Sequence, residues 1–195
     1  MRTVDPAKHA ARRGQILDAA AGVFAVKGFE AATVAEICRA AGVGSGTLFH
    51  YFPDKATVFR AIFQEDHERI LAELAALDDT DPVAGFWAIV DLLARDAAEP
   101  AAGGLVIALL GRLPMDPRLA TVLVAAEEAV LARLTGFLTR LQKEGGVDPD
   151  LPAEHAARWV SSIIDGLYLR CGDPGFDAER ELRTLRTVLT RFLFR

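Results

Sequence analysis

Apolar residues recur every three or four positions along almost the whole chain, and no convincing stretch alternates apolar and polar residues. The first spacing predicts amphipathic helices, whereas alternation is typical of half-buried strands. We therefore expect an all-α fold of about nine helices. Their expected ranges are 9–27, 34–41, 45–52, 54–77, 83–97, 104–112, 117–144, 153–171 and 178–194.

The second expected helix has clear signals at both ends. Thr33 precedes its apolar pattern and Glu36 follows three positions later, which is the arrangement of a capping box. Gly42 ends the helix, because a tight turn with a left-handed backbone costs least at a residue without a side chain. The sequence therefore predicts two short helices joined by a turn at this glycine.

The third expected helix, 45–52, divides its residues between two faces. Leu48 and Phe52, with Val43 before them, are expected to pack against the first helices. The opposite face then carries Ser45, Thr47, His50 and Tyr51. Short hydrogen-bonding side chains of this kind suit base edges and phosphate oxygens in a DNA major groove. This pattern is typical of the recognition helix of a helix-turn-helix protein.

The charge distribution supports a nucleic-acid partner at the N-terminal end only. The net charge of −5 argues against such a partner. Residues 1–60, however, carry eight Lys and Arg against five Asp and Glu, whereas the remaining 135 residues carry 14 against 22. A basic segment on an acidic body is expected when one end meets polyphosphate.

Composition excludes several other classes of protein. No apolar run reaches the roughly 20 residues needed to cross a bilayer, and the N-terminus has no apolar stretch of signal-peptide type. Cys38 and Cys171 lie within helical patterns and show no metal-ligand spacing. We expect a cytoplasmic protein with reduced thiols, without a metal site and without a cofactor.

The segment Ala41-Gly-Val-Gly-Ser-Gly-Thr-Leu-Phe-His-Tyr-Phe-Pro-Asp-Lys55 resembles the helix-turn-helix signature of the TetR/AcrR family of bacterial transcriptional regulators. The close match covers about residues 10–62. The resemblance implies that the residues binding phosphates are Thr33, Thr47, Tyr51 and Lys55, and that Ser45 and His50 lie among the residues that read bases. Lys55 would hold phosphate together with backbone N–H groups at the start of its helix.

The chain departs from this family pattern at three positions. Gly44 stands where a serine usually caps the recognition helix, so the cap is either weaker or formed by Ser45. Ser45 also stands where longer polar or basic residues are common, and Cys38 replaces a small alanine. For two of the proposed contacts simpler interpretations remain open: His50 as a solvated surface residue and Tyr51 as a core residue.

The resemblance implies two domains, a helix-turn-helix DNA-binding domain over 1–54 and a helical ligand-binding and dimerisation domain over 55–195. Large apolar residues and one arginine are candidates for a ligand pocket: Phe86, Trp87, Val90, Leu109, Arg112, Phe137 and Trp159. The last two helices are candidates for a four-helix dimer interface through Val160, Ile163, Ile164, Leu167, Leu185 and Leu189. For the aromatic pocket candidates and for the dimer candidates, the alternative is a place in the intramolecular core.

The predicted function is a homodimeric repressor that a small hydrophobic ligand releases from a palindromic DNA operator. The main alternative is a helix-turn-helix protein whose body serves dimerisation or a protein partner, without a ligand. An enzyme is not expected, because the four histidines are scattered and His67-Glu68 lacks the second histidine of a metalloprotease motif. The glycines of Gly42-Val-Gly-Ser-Gly46 lack the spacing and the preceding strand of a dinucleotide-binding loop.

Overall fold

The computed structural model describes residues 5–99 and 101–194. Over these residues the protein has the predicted all-α fold, with nine α-helices. They are α1 (Pro6–Ala31), α2 (Val34–Ala41), α3 (Ser45–Tyr51), α4 (Lys55–Ala76), α5 (Pro82–Ala94), α6 (Ala102–Arg112), α7 (Pro117–Lys143), α8 (Ala153–Arg170) and α9 (Ala178–Leu193). Short 3₁₀ turns, Arg95–Ala98 and Leu113–Met115, follow α5 and α6.

The two ends of α1 differ in how they are formed. Asp5 caps the start by accepting hydrogen bonds from the N–H groups of Ala7 and Lys8, which satisfies donors that have no partner within the helix. Near the other end Gly28 adopts a left-handed φ of 72°. The helix expected over 9–27 therefore does not end before Gly28: this glycine makes a kink, and about one more helical turn follows before the helix ends at Ala31.

The described residues form two compact units, and the first is discontinuous in sequence. It contains the described residues up to Asp66 together with Gly104–Thr121. Its core includes the rings of Phe24, Phe29 and Phe59, whose centroids lie 4.8–5.8 Å apart. A Cβ atom on Gly104 would lie only 2.2 Å from the carbonyl oxygen of Ala25. Helix α6 thus packs directly on the backbone of α1.

The second unit comprises the described parts of residues 67–103 and 122–195. Its core joins buried apolar residues of α5, α7, α8 and α9, among them Phe86, Ile89, Leu138, Val160 and Leu189. Gly85 lies against the ring of Phe137, where a Cβ atom would come within 2.4 Å of ring carbons. The division of the chain by function at residues 54 and 55 remains a prediction, since the packing groups α6 with the N-terminal helices.

Among the described residues, no helix combines the length and the apolar character that crossing a membrane requires.

Candidate DNA-binding surface

Helix α2 begins with the predicted capping box. The N–H of Glu36 donates to the Thr33 hydroxyl oxygen over 3.3 Å, and the Thr33 N–H donates to the Glu36 carboxylate over 3.1 Å. The hydroxyl of Thr33 also donates to that carboxylate over 2.9 Å, and Lys27 pairs with it. Bonds from Lys27 and Thr33 lower the pKa of Glu36 to about 2. The polar atoms of Thr33 are therefore engaged in starting α2.

Gly42 makes the predicted turn between α2 and α3. Its φ of 63° places it in the left-handed region. The N–H groups of Gly42 and Val43 donate to the carbonyl oxygens of Arg39 and Cys38, over 3.3 and 3.0 Å, which satisfies carbonyls at the end of α2. The side chain of Gln15 in α1 donates to the carbonyl oxygen of Ala41 over 3.0 Å. The turn is thus fixed both locally and from α1.

Helix α3 has the two faces that the sequence predicts. Leu48 is fully buried and Phe52, directly after the helix, is almost fully buried. Of the predicted DNA contacts in this helix, Ser45, Thr47 and His50 are exposed and Tyr51 is half-buried. Gly44 is the N-cap in extended conformation, and no side chain caps the helix. The alternative of a cap from Ser45 is therefore wrong, since Ser45 is already the first helical residue.

Two residues of this surface were not predicted from the sequence. The ring of His9 in α1 lies 4.5 Å from that of Tyr51 and 6.1 Å from that of His50, measured between centroids. Phe49 in α3 is 50% exposed, which is unusual for so large an apolar side chain. His9 lies seven residues before the buried Ile16, and this spacing shows only that the two share a side of α1.

Lys55 lies at the first position of α4, but its ammonium group has intramolecular partners. It donates to the carbonyl oxygens of Phe29, Glu30 and Ala32 over 2.7, 3.2 and 2.8 Å. Beside it, the N–H of Thr57 donates to the Asp54 carboxylate over 2.6 Å and thereby lowers the pKa of that carboxyl. The Asp54 carboxylate therefore caps the start of α4, where the sequence predicted a phosphate.

The residues predicted for a ligand pocket fall into both compact units. Leu109 and Arg112 belong to the first unit, where the guanidinium of Arg112 lies 4.3 Å from the ring centroid of Phe29. The other five belong to the second unit: Phe86, Trp87, Val90, Phe137 and Trp159. Three of these five are buried in its core, namely Phe86, Val90 and Phe137.

The other two aromatic residues of that set have different surroundings. Trp87 lies against Phe194, with near-parallel rings 6.1 Å apart, and 4.8 Å from the guanidinium of Arg186. Trp159 is 52% exposed, and its indole N–H donates to the Nε2 atom of His155, one turn away on the same helix, over 2.9 Å. Trp159 is therefore a surface residue of α8.

The predicted dimer residues divide in the same way between core and surface. Val160, Ile164, Leu185 and Leu189 are buried within the second unit. These four side chains are almost fully covered by their own unit, so they offer little surface to a second folded copy. Ile163 and Leu167 are half-buried and line a groove of about 440 Å³ between α8 and α9.

A second groove, of about 480 Å³, lies between α4 and α5 in the second unit. Its lining is mixed, with apolar Leu77 and Leu92 beside charged Glu73, Asp91 and Arg95. None of the predicted ligand residues lines it. Among the described residues, no group of three or more His, Cys, Asp or Glu side chains is placed to hold a metal ion.

Two family models match the sequence. "Bacterial regulatory proteins, tetR family" matches residues 16–62, and "BetI-type transcriptional repressor, C-terminal" matches residues 82–193. The chain belongs to the TetR family of bacterial transcriptional regulators. The first match covers most of α1 with α2, α3 and the start of α4, so it coincides with the capping box, turn and exposed polar face. The protein is thus a helix-turn-helix DNA-binding regulator.

Individual TetR-family proteins are similar over nearly the whole chain. The HTH-type transcriptional repressor Rv1474c of Mycobacterium tuberculosis is 33% identical, over 92% of this chain and 91% of its own. The structure of Salmonella enterica GusR is 28% identical, with a TM-score of 0.67 over 94% and 95% of the two chains. A TetR transcription regulator from Haloarcula marismortui shares the fold, with a TM-score of 0.78 over 94% and 99% at 22% identity.

Proposed function

We propose that this protein is a dimeric repressor that binds a palindromic operator through α3 and that an effector releases. The observation that carries the proposal is the short helix α3, which buries Leu48 and exposes hydrogen-bonding side chains on its other side. A helix with this division can enter a major groove while its apolar side stays packed on the domain. We place its action in the cytoplasm and assign it no enzymatic activity, because its relatives are transcriptional regulators.

We assign the exposed residues of α3 to two kinds of contact. Thr47 and Tyr51 bind phosphates, whereas Ser45 and His50 face base edges. Gly44, which has open space around its Cα, lets the DNA backbone approach the start of α3. The exposed ring of Phe49 suits a thymine methyl group, the apolar feature of the major groove. Thr33 acts mainly by starting α2, because its polar atoms already have partners.

A selection from random duplex DNA followed by binding measurements tests this assignment. We expect the wild-type protein to select a sequence with twofold symmetry. Tyr51→Ala is expected to weaken binding to selected and mixed-sequence duplexes alike, because a phosphate contact carries no sequence information. His50→Ala is expected to weaken binding mainly to the selected sequence. Lys143→Ala, which removes an exposed charge at the end of α7, serves as the matched control, and equal losses in all three variants would contradict the proposal.

We propose that two copies associate through the exposed side of α8 and α9. Trp159 and Ile163 lie one turn apart on α8, and Val188 of α9 lines the same groove as Ile163. Trp159 and Val188 expose 52% and 43% of their surface, and apolar residues grouped on one side of a protein mark a candidate contact surface. Ile163→Arg is expected to give a monomer in analytical ultracentrifugation, with Ile107→Arg in α6 as the control. A monomeric wild-type protein would contradict the proposal.

We propose a small hydrophobic effector that binds the second unit, with Trp87 as its first candidate contact. The ring is half-buried and already stacks with Phe194 and a guanidinium group. The alternative without a ligand is favoured by the close packing of Phe137 on Gly85. A thermal-shift screen with apolar metabolites distinguishes the two. An effector should raise Tm and weaken operator binding, and the operator should weaken effector binding by the same factor. No hit in a broad panel would favour the alternative.

A further inference from the structure

The last turn of α1 ends in carbonyl groups that have no partner within the helix. The kink at Gly28 separates this turn from the rest of α1, and the turn contains no basic residue that would compensate the negative end of a helix. Unpartnered carbonyl oxygens at a helix end need donors from elsewhere. The donor that reaches them comes from α4, more than twenty residues further along the chain.

That donor is Lys55, and it uses its full donor capacity. An ammonium group has three hydrogens and no acceptor, and Nζ lies within 3.2 Å of the carbonyl oxygens of Phe29, Glu30 and Ala32. The same atom lies 4.5 Å from the ring centroid of Phe29, within the range of a cation–π interaction. Moving Nζ to a phosphate would leave partly buried carbonyl oxygens without a donor, at a free-energy cost.

We propose that Lys55 is a positioning residue, which holds the start of α4 on the end of α1 and thereby sets the orientation of α3, rather than a phosphate contact. The inference rests on the proposed function of α3. Only Phe52, Pro53 and Asp54 separate α3 from Lys55, and Phe52 is almost fully buried. The end of α3 is therefore tied to α1 at two nearby points.

The charge at the start of α4 supports the same assignment. The Asp54 carboxylate accepts the N–H of Thr57 over 2.6 Å and so takes the place that an anion would occupy at this helix N-terminus. A phosphate there would face a like charge. The partial positive charge at the start of α4 is thus already compensated by a carboxylate of the same chain.

The salt dependence of DNA binding separates a positioning residue from a phosphate contact. We expect Lys55→Met to bind a mixed-sequence DNA duplex roughly tenfold more weakly at every salt concentration, the loss that about 1.4 kcal/mol produces. The slope of log affinity against log salt should equal that of the wild type, since a lost phosphate contact would reduce it by about 0.9. Lys143→Met, which removes an exposed charge in the second unit, is the matched control. A reduced slope, or unchanged affinity, overturns the proposal.

Lys55→Arg gives an independent result. Arginine binds phosphate at least as well as lysine, but its planar guanidinium presents donors in a fork and does not match three carbonyl oxygens converging on one atom. We expect Lys55→Arg to bind DNA as weakly as Lys55→Met in samples shown to be folded by circular dichroism. Wild-type affinity in Lys55→Arg would overturn the proposal.

Lysine labelling of the wild-type protein tests the same point without a substitution. The chain has four lysines, and the side chain of Lys8 is 88% exposed. In reductive methylation read by mass spectrometry, Lys55 should react more slowly than Lys8 and Lys143 in the free protein, with no further protection from DNA. Reaction of Lys55 as fast as Lys8, with protection only when DNA is added, overturns the proposal. A wild-type protein that binds no DNA would instead contradict the proposed function of α3. Labelling of the free protein would still test whether Lys55 is held by the carbonyl groups at the end of α1.

Discussion

Helices α2 and α3 are neighbours of similar length, but their stability has different sources. Helix α2 has a capping box at its start, a left-handed glycine at its end and three buried residues. Helix α3 has no side-chain cap, a glycine at position 46 and a single buried residue, Leu48. The first is specified by its own sequence, whereas the second is held by tertiary contacts. Helix α3, which we propose faces DNA, thereby keeps most of its side chains free for a partner.

Leu48→Ala is the strongest way to break α3. Because Leu48 is the one buried residue of the helix, its truncation leaves a cavity where α3 meets the core, and we expect unfolding free energy to fall by about 3 kcal/mol. Urea denaturation followed by circular dichroism measures the change. Exposed Thr47→Ala should change stability by less than about 0.5 kcal/mol. Similar stabilities for the two variants would show that α3 does not depend on this contact.

Thr33→Ala tests how much the capping box stabilises α2. Loss of the hydroxyl removes the acceptor for the Glu36 N–H, and we expect the unfolding free energy to fall by about 1 kcal/mol. Thr33→Ser keeps a hydroxyl cap and should stay near the wild type in the same denaturation experiment. An equal loss in both variants would point to packing of the threonine methyl group instead of capping.

The pH dependence of stability should show whether the charged Glu36 carboxylate of this capping box stabilises the protein. The folded-state pKa of Glu36 is lowered from 4.5 to about 2. Its stabilising effect is therefore fully present above pH 4.5 and is lost as the pH falls toward 2. We expect the Tm difference between the wild type and Glu36→Gln to shrink over this interval. A difference that stays constant from pH 7 to pH 2 would contradict the role of the charged carboxylate.

Gly44→Ser is the smallest change and should make α3 more like α2. The glycine has φ −77° and open space around its Cα, so a serine fits without strain. A serine N-cap is expected to stabilise the protein by a few tenths of a kcal/mol, measured as a small rise in Tm. A fall in Tm would mean that α3 needs the backbone freedom of this glycine.

The sequence predicted those features that a few neighbouring residues determine. Thr33, Glu36 and Gly42 specify α2 and its turn within ten residues, and the predicted capping box and left-handed turn are both present. The partners of Lys55 could not be found in this way, because its contacts join residues 23 to 26 positions apart. No local sequence pattern predicts which carbonyl groups will bind an ammonium group that lies more than twenty residues away in the chain.

The same limit explains the dimer prediction. Apolar periodicity placed Ile163 and Ile164 together on α8, although they are adjacent residues that point in different directions on a helix. Ile164 is buried in the core, whereas Ile163 lines the groove beside α9. Periodicity shows that a helix has a broad apolar side. Only the packing of the neighbouring helices decides which part of that side stays uncovered.

The discontinuous first unit has a consequence for how the protein is made. Helix α6, which packs through Gly104 on the backbone of α1, is synthesised after the segment 67–103 that belongs to the second unit. At about 5–20 residues per second, that segment takes a few seconds to leave the ribosome. During this interval the N-terminal helices expose the apolar surface that α6 later covers. We therefore expect the nascent first unit to expose this apolar surface to chaperones until residue 121 has emerged.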